Sequence, residues 1–69
     1  RLLATQRVQA LCATLPPAHR DVLLLRLVGR LTIDEIAPVL GRSRGAVKAL
    51  QRRGLATLTR RLEREGVPL

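Results

Sequence analysis

No phenylalanine, tyrosine or tryptophan occurs in the 69 residues. Without ring faces the chain has no platform on which bases can stack, which excludes the single-strand and RNA-binding modules built on stacking. The core must instead be aliphatic, supplied by Leu, Val, Ile and Ala. Cysteine is almost absent as well. Cys12 has no second thiol for a disulfide, a metal site or a CxxC redox pair, so it reads as a small core residue in a reducing, cytoplasmic setting. No apolar run is long enough for a membrane span, and the amino end lacks a signal-peptide pattern. Acidic residues are scarce, five against thirteen basic ones, for a net charge of +8. That balance calls for a polyanionic partner, duplex nucleic acid first. A membrane surface comes last, because interfacial helices favour Trp or Phe on their apolar side.

Catalytic constellations are missing too. His19 has no Cys, second His or acidic cluster at metal spacing, and no Ser or Cys arranged with it. It reads as a surface or capping histidine. Asp21, Asp34 and Glu35 sit at helix starts, where the backbone dipole stabilises carboxylates. No enzyme, cofactor, metal or small-molecule substrate is expected.

A chain this size buries only about 60% of its unfolded surface, which predicts one domain over residues 1–69 with a thin core. It opens on Arg1 rather than Met, and is read as part of a longer protein. Leu3 or Ala4, Val8, Leu11 and Leu15 form one helical stripe that ends near Thr14. Pro16 and Pro17 break the chain and start a second helix, from about Pro17 to Val28. Its "VLLLRLV" run is apolar almost all round, so the helix is buried on several sides or shares a strip with a partner. Leu23 and Leu24 are the candidate docking residues. After Gly29 and Arg30, Thr32-Ile33-Asp34-Glu35 forms a capping box with Leu31 and Ile36 as its staple. Gly41 stops this third helix. Ser43 caps a fourth, in which Val47, Leu50, Gly54, Leu55, Leu58 and Leu62 recur to about Glu65, with Gly66 and Pro68 closing it. The expected fold is therefore all-α, a small four-helix domain.

Its third and fourth helices, joined by a short turn containing Gly, make a helix-turn-helix whose second helix lies in the DNA major groove. No acid falls between Arg42 and Arg61. With Val47 and Leu50 inward, Arg44, Lys48, Gln51 and Arg52 fall on the outward surface, where such side chains meet guanine and adenine acceptors. Arg42, Ser43, Arg53 and the helix amino terminus suit phosphates, which position without reading sequence.

The stretch "LPPAHRDVLLLRLVGRLTIDEIAPVLGRSRGAVKALQRRGLATLTRRL", Leu15 to Leu62, resembles the fourth domain of bacterial sigma factors, especially the extracytoplasmic-function group. The shared pattern is an LP followed by Arg, a leucine-rich helix, LT-x-x-EIA, a GxS turn and GAVK before a basic helix. The resemblance implies recognition of the upstream (minus 35) promoter element in double-stranded DNA, with docking on the flap of core RNA polymerase and binding by an anti-sigma factor. It places Ser43, Arg44, Lys48, Arg52 and Arg53 at DNA-contacting positions and Thr32 at a phosphate-facing cap. Three departures stand out. Gly29 comes one residue before the family's usual glycine, at Arg30. Pro38 falls within the third helix, where a kink is expected. Many members carry the inward Leu where Gln51 stands, so two registers one residue apart remain open. A response-regulator output domain shares the four-helix build and is the nearest rival. A protein-docking module is the rival of another class.

Overall fold

The computed structural model describes residues 2–65. Among them all regular structure is helical: α1 Leu2–Cys12, α2 Pro17–Leu23 with a wide-turned continuation Leu24–Val28, α3 Ile33–Leu40 and α4 Arg44–Arg64. The closure expected at Gly66 and Pro68 lies outside these residues, and for Leu3 and Ala4, where packing is expected, only the helical backbone is described.

Local sequence explains most boundaries. The α1–α2 turn is closed by backbone bonds from Thr14 N–H to Leu11 O and Leu15 N–H to Cys12 O. Pro16 then takes an extended conformation, φ −54° and ψ 146°, and Pro17 opens α2, where a missing N–H costs nothing. At α3 the capping box forms as the sequence predicts. Thr32 Oγ1 accepts from the Glu35 N–H at 3.1 Å, and Glu35 Oε1 accepts from the Thr32 N–H at 2.8 Å. Donation from the Thr32 backbone N–H first, and from its hydroxyl proton second, holds the Glu35 carboxyl below the ordinary glutamate range. The staple residues meet: Ile36 is fully buried, with Leu31 packed on the same cluster. Gly41 stops α3 at φ 62°, and the Arg42 N–H reaches back to Ala37 O at 3.0 Å, the long bond of a Schellman turn. Pro38 does not end α3, which runs on to Leu40 around it. Ser43 caps α4 by accepting from the Ala46 N–H at 3.1 Å.

The second helix departs from expectation in its last five residues. Leu24–Val28 is wound as a π-helix, with Gly29 N–H bonded to Leu24 O and Leu31 N–H to Leu25 O, both at 3.0 Å. Gly29 is required there for room, since a Cβ would lie 2.9 Å from the Leu25 carbonyl oxygen. The left-handed residue is the next one, Arg30, at φ 59°. The position where the resemblance expects glycine thus keeps its backbone shape with an arginine in it. Left-handed geometry costs an L-residue about 1–2 kcal/mol.

Two apolar clusters make the core. Val22, Ile36, Ala37, Val47 and Leu50 form one, between α2, α3 and α4. Cys12, Leu15, Leu23 and Leu58 form the other, against which Val8, Leu11, Leu24 and Leu62 pack. Consecutive residues Val22 and Leu23 enter different clusters, which is why "VLLLRLV" is apolar on so many sides. Leu23 is 0% exposed, so it is a core residue that only floors a surface depression, rather than the exposed docking residue expected. Leu24 is half-buried against the second cluster. Leu55, expected in the core stripe of α4, is instead exposed, as are Leu27 and Val28. Burial also pushes the Cys12 thiol up, consistent with a packing residue. Between the clusters α4 crosses α2 at Gly54, where an added Cβ would stand 3.0 Å from Leu23 Cδ1.

Arg30→Gly is expected to raise stability by about 0.5–1 kcal/mol, the relief of left-handed strain less the entropy of a freed glycine. Arg30→Val should lower it; urea midpoints at constant m-value decide both. The capping carboxylate adds a pH signature. Because Glu35 titrates lower in the folded than in the unfolded chain, its contribution is complete above the ordinary glutamate range and is lost as pH falls through the folded value. Glu35→Gln should flatten the acid limb of a melting-temperature profile.

Candidate nucleic-acid interface

The interface is built on the first half of α4, a helix roughly 30 Å long. Val47, Leu50, Gly54 and Leu58 are its buried residues. This settles which of Leu50 and Gln51 faces inward: it is Leu50. Each residue turns the helix by about 100°, so the outward line passes through Gly45, Lys48, Ala49 and Arg52. These four line one shallow concavity. Lys48 and Arg52 are exposed beside it. Gly45 has nothing within 4 Å of a built Cβ, so neither packing nor backbone shape requires glycine there. A glycine inside a helix costs about 0.8–1 kcal/mol relative to alanine, and at Gly45 the fold gains nothing for it.

Gln51 does not join this row. It is half-buried on the flank, where its Oε1 accepts from Arg26 Nε at 3.2 Å, while Arg26 Nη1 donates to Leu31 O at 3.0 Å. Arg26 therefore ties the π-wound segment, the Gly29–Leu31 loop and α4 together. The expectation of Gln51 at the base-reading surface is corrected for this reason: with Leu50 inward, the next residue falls beside the core. Gln51 shares a depression with Leu23, Arg26, Leu27 and Leu55.

The remaining candidates lie at or near the amino end of α4. Arg42 and Ser43 are exposed in the turn, and Arg53 is exposed one residue beyond Arg52. The Ser43 and Thr32 hydroxyls both already accept cap bonds; Ser43 keeps its O–H to donate, whereas that of Thr32 is directed to the Glu35 carboxyl. Arg44 is paired: its Nε lies 2.6 Å from Asp34 Oδ1, with side chains 63% and 70% exposed. A pair so open to water contributes about 0–1 kcal/mol to the fold. It nevertheless shows that the first turns of α3 and α4 come within one arginine's reach. No ion pair occupies Arg42, Lys48, Arg52 or Arg53 among the described residues.

Sequence reasoning overlooked Arg26, Asp34 and the small outward residues. Only the last left a signal, the four-residue spacing of Gly45 and Ala49 interleaved with that of Lys48 and Arg52. His19, expected at the surface, is half-buried near the α2–α4 crossing, and its Nδ1 has no hydrogen-bond partner among the described residues. No described helix is long and apolar enough to cross a membrane.

Residues 12–65 match a family model described as Sigma-70, region 4. Comparison with curated proteins gave no match.

Gly45 separates folding from binding. Gly45→Leu should raise the melting temperature, through part of the roughly 0.8 kcal/mol that the exchange gains in a helix interior, yet weaken duplex binding by filling the concavity. Calorimetry beside fluorescence anisotropy on a labelled duplex measures the two effects. Gln51→Ala should leave the order of preference among duplexes unchanged.

Proposed function

Since the chain belongs to the sigma-70 region 4 family, we propose that it reads the minus 35 element of promoters as one domain of a longer cytoplasmic sigma factor of the extracytoplasmic-function type. In this reading residues 1–69 direct RNA polymerase to its start sites. The observation that carries it is the outward row of Gly45, Lys48, Ala49 and Arg52, two cations flanking a surface low enough to let the α4 backbone approach the floor of a major groove. Lys48 and Arg52 meet base acceptors, and Arg44 does so from the helix start. Arg42 and Arg53 hold phosphates on either side of the groove. The N–H-rich first turn of α4 and the Ser43 hydroxyl add further donors, with the Thr32 cap facing the phosphates beside them.

Protein docking is a second role in the same reading. Leu27 and Leu55, 45% and 37% exposed, flank the depression that also holds Arg26 and Gln51. This face, rather than Leu23 and Leu24, is the one offered to the polymerase flap or to an anti-sigma factor. It lies beside the row of Lys48 and Arg52, so one partner can be held while α4 faces DNA.

Duplex binding by the chain should fall steeply with salt, because each phosphate neutralised by Lys or Arg releases about 0.9 of a counterion. Lys48→Ala and Arg52→Ala are each expected to lose about 1–3 kcal/mol on a preferred site and much less on a scrambled one. Arg42→Ala and Arg53→Ala should weaken both equally and lower the salt slope by about one. Equal losses on both duplexes for all four variants would mean that α4 holds the backbone without reading sequence.

A further inference from the structure

The DNA-facing surface carries one carboxylate that, beyond its favourable place in the first turn of α3, has no part in the cap or in base reading. Glu35 is turned back into its cap, Asp21 pairs with its neighbour Arg20, and Glu63 and Glu65 lie at the far end of α4, Glu65 near Arg7. Asp34 alone projects from the first turn of α3 toward the first turn of α4, where it meets the Arg44 Nε at 2.6 Å. Arg44 is in turn the one cation of the proposed interface that is paired among the described residues. A negative charge facing polyanionic DNA repels it, and Asp34 also occupies one of the arginines that would attract it.

Resting on the DNA-binding reading above, we propose that Asp34 is a positioning residue that biases Arg44 away from phosphates and toward base edges. The chemistry follows from what each acceptor carries. A phosphate is an anion that must approach Arg44 past the Asp34 charge, and must take over a guanidinium already neutralised. The O6 and N7 atoms of guanine are uncharged acceptors. They can take N–H donors that the carboxylate leaves unused, since a guanidinium has five and the contact with Asp34 runs through Nε. The pair need not open for base reading, whereas it must open for a strong phosphate contact. Asp34 thus lowers affinity for arbitrary duplex and leaves affinity for the matching duplex largely intact.

The test compares the chain with its Asp34→Asn variant on two probes: a duplex enriched from a randomised pool by the unmodified chain, and the unselected pool itself. Both are titrated over a range of salt. Asp34→Asn should bind the unselected pool several-fold more tightly. Its log–log salt slope there should steepen by about 0.9, as expected for one added phosphate contact. The preference for the enriched duplex should fall roughly 5-fold or more, the lower end of what one bidentate base contact provides. Asp34→Glu, which retains the charge, should restore most of the preference. In an Arg44→Ala background Asp34→Asn should raise affinity for both probes alike, leaving the preference unchanged.

The inference is overturned if Asp34→Asn keeps the original preference and slope, or if it shifts preference equally in the Arg44→Ala background. A partly unfolded variant would bind both probes more weakly, the opposite sign on the unselected pool, and that result also counts against it. Failure of the unmodified chain to bind or enrich any duplex would overturn the DNA reading itself, and this inference with it.

Discussion

Everything the fourth helix presents depends on how closely it approaches the second at Gly54. With no side chain of its own, Gly54 admits the fully buried Leu23 into the crossing, and this contact sets the rotation of α4 about its axis. Val47 and Leu50 are then committed to one cluster and Leu58 to the other. Once they are buried, the 100° step of the helix leaves Lys48 and Arg52 outward and sends Gln51 toward Arg26. In an aliphatic core this small, each buried Leu, Val or Ile is worth roughly 1.5–3 kcal/mol. A one-residue rotation that exposed two of them would cost more than any rearrangement of surface arginines returns.

Features legible in the sequence share a physical character: each is decided by a few adjacent residues. The double proline, the Thr32–Glu35 box, the Gly41 stop and the Ser43 cap are all closed by hydrogen bonds spanning five residues or fewer. What could not be read depends on distant partners. The π-winding of Leu24–Val28 occurs where one helix serves two clusters. The tie between Arg26 and Gln51 joins residues 25 apart, and the pair of Asp34 with Arg44 crosses from one helix to the next. Leu23 and Leu27 look interchangeable as letters, yet one is sealed and the other open. Arg30 is a different case. Its offset from the expected glycine was visible, and the structure shows that Arg30 takes a left-handed conformation that glycine would adopt without strain.

The candidate interface therefore combines a local part and an assembled one. Charge, caps and the short turn were evident from the letters, and they account for Arg42, Ser43, Arg44, Lys48, Arg52 and Arg53. Separating those that lie over the concavity from those beside it needed the crossing at Gly54. The exposed apolar residues Leu27 and Leu55 likewise gain meaning only by standing together beside Gln51.

The division of the core also gives the molecule two levels of resistance to opening. Val8, Leu11 and Cys12 of α1 bear on the second cluster alone, so an excursion that lifts α1 uncovers Leu15 and Leu58 while Val22, Ile36, Ala37, Val47 and Leu50 go on covering one another. Amide protons of α1 then exchange through a cheaper fluctuation than those around Ile36 and Val47, whose release requires the whole chain to come apart. The half that carries the helix-turn-helix is expected to be the slow half of a hydrogen-exchange map.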